Sequence, residues 1–395
     1  MELTVFSHKP CWLSAAASST YATDGGFPFQ MRALSELFSG TRLVVPCARS
    51  GKRIGETALS GRMLAVVPLT TPRGRGIGRR LALPVWILRN GATLLRETLR
   101  AEAVHAVIPG DIGTLGMLLA WALRKRLLVR HCGNWLVQRT MAERFWRWFI
   151  ERFAGGRNVM LVTGSGPYGP SRRNEHVHWI FSTSMSAAEL AASASVRHSL
   201  PQDGPRIVTV ARLDPKKGTG VAIRSLPLLV DAYPGVQLHV VGDGPGLAGL
   251  RHLAAQLGVA SRVFFHGQVG HDEVLRQLRA ADLFCLPSAS EGFPKAVLEA
   301  LACGVPVITT RVSGLPHLLR AGCGALLKEA SPTAVAEAVL TCLEDRARYR
   351  TMSERAVNTA RTYSLEHWSE IIGAFLAQAW GPLATDAQPH AASQA

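Results

Sequence analysis

Short apolar runs, each followed by a Gly-, Pro- or Ser-rich turn and then an amphipathic stretch, recur along most of the chain. A strand buried on both faces of a sheet reads as a continuous apolar run, and a helix must carry the chain back before the next parallel strand. The alternation therefore predicts parallel β/α units. In the first half the predicted strands are 3–8 (LTVFSH), 42–47, 63–69, 103–109, 126–132 (RLLVRHC) and 158–164. In the second half they are 206–211 (RIVTVA), 236–242, 262–267, 282–288 and 305–310. The expected class is α/β, with two doubly wound, Rossmann-like domains whose ligands sit outside the carboxyl ends of the strands.

Periodicity lapses over 186–205, which is rich in Ala, Ser, Pro and Gly, so this stretch is expected to link a domain 1–185 to a domain 206–363. Residues 364–380 read as a last amphipathic helix packing back on the first domain. The tail 381–395 has little to bury and is expected to be disordered.

Composition changes the picture in one respect. The chain has 395 residues, 47% of them hydrophobic, enough for two cores and too apolar for a disordered chain. Its formal charge of +16 is one-sided: residues 1–200 hold 26 basic and 11 acidic side chains, against 18 and 17 in the rest. An anionic partner is implied for the first half, whether nucleic acid, bilayer or phosphorylated substrate. Seven cysteines, with no C-x-x-C pair, read as free thiols in a reducing cytoplasm. No apolar run reaches the roughly 18–20 residues of a membrane span. The opening MELTVFSHKP suits a first strand better than a signal peptide, so the mature chain is expected to begin there.

Four stretches of the second half carry candidate chemistry. In VARLDPKKG, Arg212 and Lys217 lie between a strand end and a helix start, where cations, helix dipole and free amides all favour an anion. In VVGDGPG, glycines that include Gly244 permit close backbone approach, but the G-x-G-x-x-G spacing is absent. FFHGQV, ending at Val269, is uninformative alone. In EGFPKAVLEALACGV, Pro294 suits the first helical turn and Gly304 closes the helix. Glu291 then precedes the helix and Glu299 lies within it, among apolar neighbours where an unpaired carboxylate is costly.

Taken in order, these motifs resemble the carboxyl-terminal domain of the family 4 GT-B glycosyltransferases, which are retaining and nucleotide-sugar-dependent. The resemblance is close over about 206–330. It implies two domains facing across a cleft, with Arg212 and Lys217 on the donor diphosphate and Glu299 on the ribose hydroxyls. Glu291 would lie by the anomeric carbon, Gly292, Phe293 and Pro294 by the sugar and distal phosphate, and Gly244 and Val269 near the base. It implies a nucleoside diphosphate sugar as donor, uridine favoured over guanosine, with no metal and no other cofactor.

In the first half the resemblance extends to the fold and to Gly25-Gly26, a pair that would let acceptor and donor phosphates lie against the backbone. The alternative is an ordinary turn before a helix. The family position for an acceptor-orienting group or base falls on His131, at a strand end, where an imidazole can take a hydroxyl proton. Asp111, at another strand end, is the rival. The basic excess falls largely in 72–100 and 142–153, where arginines alternate with large apolar residues as suits an anionic headgroup layer. Within it, 72–81 reads as a flexible cationic loop.

The expected protein is a cytoplasmic glycosyltransferase, peripheral at the inner face of the membrane, building a polysaccharide or lipopolysaccharide-type product on a glycan or lipid-linked acceptor. A catalytically inactive scaffold at the membrane is the alternative. Nucleic acid is not expected as a partner, because no recognised binding motif or aromatic groove appears. Oligomeric state is not legible.

Overall fold

The structure is a computed structural model and describes residues 1–14, 20–48, 56–72, 74 and 76–383. The expected disordered tail falls mostly outside these residues, as do 15–19 of the loop before Gly25. The chain divides into two compact units. The first comprises Met1–Thr163, Tyr168–Ile180 and the segment from Leu365, and the second Gly164–Pro167 and Phe181–Ser364.

Among the described residues, ten strands serve the first unit: β1 (Glu2–Phe6), β2 (Cys11–Leu13), β3 (Tyr21–Asp24), β4 (Gly40–Ala48), β5 (Glu56–Ala58), β6 (Leu64–Leu69), β7 (Ala103–Ile108), β8 (Arg126–His131), β9 (Asn158–Thr163) and β10 (Val177–Ile180). Its parallel core runs β6-β4-β1-β7-β8-β9-β10, and β2, β3 and β5 extend one end. The helices are α1 (Phe27–Ser35), α2 (Gly76–Arg100), α3 (Asp111–Ala122) and α4 (Met141–Phe153). α2, α3 and α4 share one apolar core with the sheet, built around Trp86, Leu94, Met117 and Phe149. The carboxyl ends of β1, β7 and β8 are neighbours in register, with Phe6 opposite Ala106 and Ile108 opposite His131.

The second unit holds α5 (Ala187–Ser193), β11 (Arg206–Val210), α6 (Thr219–Ser225), β12 (Gln237–Val241), α7 (Leu247–Gln256), β13 (Val263–Gly267), α8 (His271–Arg279) and β14 (Leu283–Leu286). It continues through α9 (Lys295–Ala302), β15 (Val307–Thr310), α10 (Leu315–Leu318), β16 (Gly324–Leu327), α11 (Pro332–Cys342) and α12 (Arg346–Ala360). Its sheet is wholly parallel, in the order β13-β12-β11-β14-β15-β16. Counted from β11, that is the doubly wound 3-2-1-4-5-6 order. The last helix, α13 (Leu365–Trp380), belongs to the first unit. Its Trp368 lies 5.0 Å under the Arg130 guanidinium, and Trp380 donates to the Arg157 carbonyl at 2.8 Å.

Three expectations are corrected. Residues 186–205 are not a free linker. Met185 and Leu190 are buried, Ser186 and Glu189 form a capping box that starts α5, and the Arg197 amide donates to Ser353 Oγ at 2.8 Å, all within the second unit. The cationic loop expected at 72–81 gives way to α2 from Gly76, because Trp86 and Asn90 tie the helix to Thr70 and Trp86 and Leu94 bury its inner face. The cysteines are not all free. β2 pairs with β4 so that Cys11 lies opposite Cys47, and the two form a disulfide with Cα atoms 4.6 Å apart. Cys132, Cys285, Cys303, Cys323 and Cys342 are free thiols.

Candidate active site

At the carboxyl end of the second sheet, β11 gives way to Ala211-Arg212-Leu213-Asp214, one tight turn at Pro215–Lys217, and Gly218. Gly218 has φ +74°, and a Cβ there would meet the Pro287 carbonyl oxygen at 2.0 Å, so only glycine fits. The loop after β14 closes on the same turn. The Ala289 amide donates to the Lys216 carbonyl at 2.8 Å, and Ser288 Oγ donates to it at 3.0 Å. This docking brings together two residues 74 positions apart: Lys217 Nζ donates to both carboxylate oxygens of Glu291 at 2.8 Å. Glu291 is buried and Lys217 partly so, hence the pair is a fixed feature of the site and not a loose surface contact. Arg212 is mostly exposed and folds back on Asp214 at 2.9 Å, leaving its guanidinium free to swing toward an anion.

The Gly-rich turn after β12 braces this loop. A Cβ on Gly244 would sit 2.6 Å from the Leu213 carbonyl oxygen, the Leu213 amide donates to the Asp243 carbonyl at 2.9 Å, and the Gly246 amide donates to Leu213 at 2.9 Å. The observed part of Gly244 is thus to let two strand-end loops touch. Val269 is half-buried immediately before α8, at the end of the neighbouring turn.

Pro294 is the N-cap of α9, one position ahead of the first helical residue expected for it, with an extended ψ of 110°. Gly292 is held from outside, since Ser313 Oγ donates to its carbonyl at 2.5 Å. Phe293 does not offer its ring to a sugar. It is buried beside Tyr363 and Phe181, at 5.8 and 6.3 Å between centroids, so it anchors the turn while the backbone of 292–294 stays at the sheet edge.

Glu299 is buried on α9 as expected, but it is not unpaired. Ser184 Oγ donates to its Oε1 at 2.6 Å, and His271 Nδ1 of α8 lies 3.8 Å away. These contacts satisfy part of the carboxylate, so its burial alone does not demand a ligand. A carboxylate offers about four acceptor positions, and capacity remains for a pair of hydroxyls. Ser184 and His271 were missed from the sequence. Ser184 lies just before the stretch 186–205 read as a linker, and the one available signal for His271 was its place two residues after Val269.

In the first unit, Gly25 has φ +68° with open space where a Cβ would be, and Gly26 caps α1. Asp111 opens α3 and accepts from Arg79 Nε and Nη2, both at 2.8 Å. His8 packs against Gly110, and its pKa is lowered by burial and by Arg79. His131 ends β8, buried beside Trp135 and Trp146, with its Nδ1 unpartnered. Burial lowers its pKa to about 4. Burial thus favours the uncharged ring at neutral pH, the form from which a general base acts, while weakening it as a proton acceptor. A group this far depressed binds its proton in the unfolded chain before the folded one, so stability falls as pH drops from about 6.5 toward 4. Thermal melts of His131→Asn should fall less steeply over that window than wild type, by up to about 3 kcal/mol in total.

Two units, one with a parallel core sheet extended by short antiparallel strands and one with a doubly wound, wholly parallel sheet that carries a cation-bearing loop and a carboxylate-bearing helix at its carboxyl edge, fit the GT-B class of architecture. Solved structures agree. Anabaena HepE in complex with UDP and glucose matches at TM-score 0.69 and 17% identity over 96% of this chain and all of that one. WaaG, a glycosyltransferase involved in lipopolysaccharide biosynthesis, matches at TM-score 0.63 and 17% identity over 96% and 100%. The family described as glycosyl transferases group 1 matches residues 193–359, a segment that lies within the second unit. A GDP-mannose-dependent alpha-(1-6)-phosphatidylinositol monomannoside mannosyltransferase of Mycolicibacterium smegmatis is 31% identical over 266 residues, 65% of either chain. A D-inositol 3-phosphate glycosyltransferase of Streptomyces griseus is 37% identical over 158 residues, 38% of this chain and 34% of its own. The matches thus cover less than two thirds of these relatives' length.

Proposed function

We propose that the protein is a retaining glycosyltransferase that moves a sugar from a nucleoside diphosphate to a hydroxyl of a membrane-associated glycan or lipid-linked acceptor. The observation that carries the reading is the meeting of Lys217 and Glu291 on a glycine-tightened turn at the sheet edge that also holds Glu299 and Arg212. The family match over the same segment supports it.

In this reading the diphosphate lies on Lys217 and Arg212, the latter released from Asp214, and the ribose hydroxyls lie on Glu299. The bond from the anomeric carbon to the diphosphate breaks as the acceptor oxygen bonds that carbon. Charge grows on the leaving phosphate, and cations already in place stabilise it without reorganisation, with no metal in the step. Glu291, tied to Lys217, lies beside the anomeric carbon, where positive charge develops. The hydroxyl proton leaves with the diphosphate, whose oxygen gains negative charge and basicity as its bond to the anomeric carbon breaks. His131 and Gly25-Gly26 then orient the acceptor, and Asp111 holds Arg79. The favoured donor is a UDP-sugar, with GDP-mannose the competing carrier.

The test is product analysis: the full chain is incubated with a nucleotide-sugar and a hydroxylated acceptor, and the anomeric configuration is read by NMR. Retention with release of nucleoside diphosphate is expected. Inversion, or no turnover with any donor on a lipid-linked acceptor, would refute the reading.

A further inference from the structure

A surface helix turns its apolar stripe to the core and its charges to water. α2 departs from this. Its inner face, Trp86, Asn90, Leu94 and Glu97, is buried against the sheet. Its outer face carries Leu81, Val85, Leu88, Leu95 and Leu99, spaced 4, 3, 7 and 4 with Ala92 filling the gap, so all of them fall on one line down the helix. All are exposed, Leu81 at 75% and Leu88 at 83%. Alongside, one step round the helix, runs a second exposed row of Arg89, Arg96 and Arg100.

The helix's one carboxylate, the buried Glu97, lies 3.3 Å from Arg96 and 3.9 Å from Arg100 and is shared with Arg42, so a single inward acid stands against the whole row. Burial pushes it up, but hydrogen bonds from Arg42, at 2.6 Å, and from Arg96 outweigh this and hold it below the ordinary carboxylate range. At the helix end Lys125 Nζ caps the Leu99 and Ala101 carbonyls at 2.7 and 2.8 Å.

We propose that this outer face of α2 is a membrane-docking surface, lying flat in the headgroup layer of an anionic bilayer with its leucines in the acyl boundary and its arginines on lipid phosphates. No described helix is long and apolar enough to cross a membrane, so contact through this face would be interfacial. Charge selects the occupant. A second copy seated on the same face would bring an arginine row with no exposed carboxylate of α2 to meet it, whereas anionic lipid answers both the apolar line and the arginines. The proposal rests on the acceptor reading above, because a membrane-held acceptor is what such docking would serve.

The experiment is co-sedimentation of the full chain with vesicles of phosphatidylcholine alone and with about 30% phosphatidylglycerol, beside the double variant Leu88→Glu/Leu95→Glu and the variant Arg89→Ala/Arg96→Ala. Both substitution pairs are on exposed positions. Wild type is expected on anionic vesicles and not on neutral ones, with the glutamate variant weaker by more than about tenfold and the alanine variant weaker by several-fold with a flatter salt dependence. Equal binding of wild type and the glutamate variant would overturn the proposal. So would a wild-type dimer, seen by light scattering, that the glutamates split into monomers, since a second copy would then own the face. Donor-dependent melting shifts measured on the same variants keep the two readings apart: these should be unchanged if only docking is lost, and their absence in wild type would count against the glycosyltransferase reading alone.

Discussion

Lys217→Ala is expected to lower sugar transfer by about a thousandfold, the upper range for removing one preset charge-stabilising donor from a transition state. The same change strands Glu291, a buried carboxylate that loses both of its 2.8 Å contacts with the ammonium, and should cost roughly 3–5 kcal/mol of stability. The two losses separate in the double variant Lys217→Ala/Glu291→Gln. Neutralising the stranded group should return much of the melting temperature, while transfer stays low because nothing has replaced the cation on the leaving phosphate. Near-normal turnover of Lys217→Ala would remove the ion pair from the chemistry and leave it a structural clip between the loops after β11 and β14.

Glu299→Ala is the second large effect, and it should appear in binding. If the carboxylate accepts from two ribose hydroxyls, its loss should weaken a nucleoside diphosphate by about 2–3 kcal/mol, on the order of a hundredfold in Kd. Inorganic pyrophosphate, which has no ribose, should bind the variant as it binds wild type. That contrast separates a ligand from a prop: Ser184 and His271 already lean on Glu299, and a purely structural carboxylate would damage both affinities equally when removed. Ser184→Ala, which leaves the carboxylate in place, should cost only a few-fold.

The two predictions show what the sequence could and could not tell. The parallel β/α plan was legible because buried parallel strands carry apolar runs such as 43–45 and 159–162. The carboxyl-edge loops were legible because Gly218 and Gly242 mark positive φ turns past strand ends. Short strands of three or four residues, Cys11–Leu13, Tyr21–Asp24 and Val177–Ile180 among them, carry too few positions for a period to register. Pairings across sequence distance were also hidden. Nothing local to Cys11 announces Cys47, nothing local to Glu299 announces Ser184, and nothing in a strand-end histidine announces the tryptophans that bury His131. Residue types at the site were readable, whereas their partners depended on tertiary closure. The outer face of α2 lies between these cases: its arginines and leucines were visible as a mixture, and only the burial of Trp86, Leu94 and Glu97 sorts them into an inner and an outer side.

The central claim is that the second unit's sheet edge binds a nucleoside diphosphate sugar. It is tested most directly by calorimetric titration of UDP, GDP and their sugars into the full chain and into Lys217→Ala. Saturable binding of one nucleotide series to wild type, with UDP-sugars ahead of GDP-mannose, and its loss in the variant is the predicted result. No heat from any nucleotide, or equal affinity in wild type and Lys217→Ala, would contradict it.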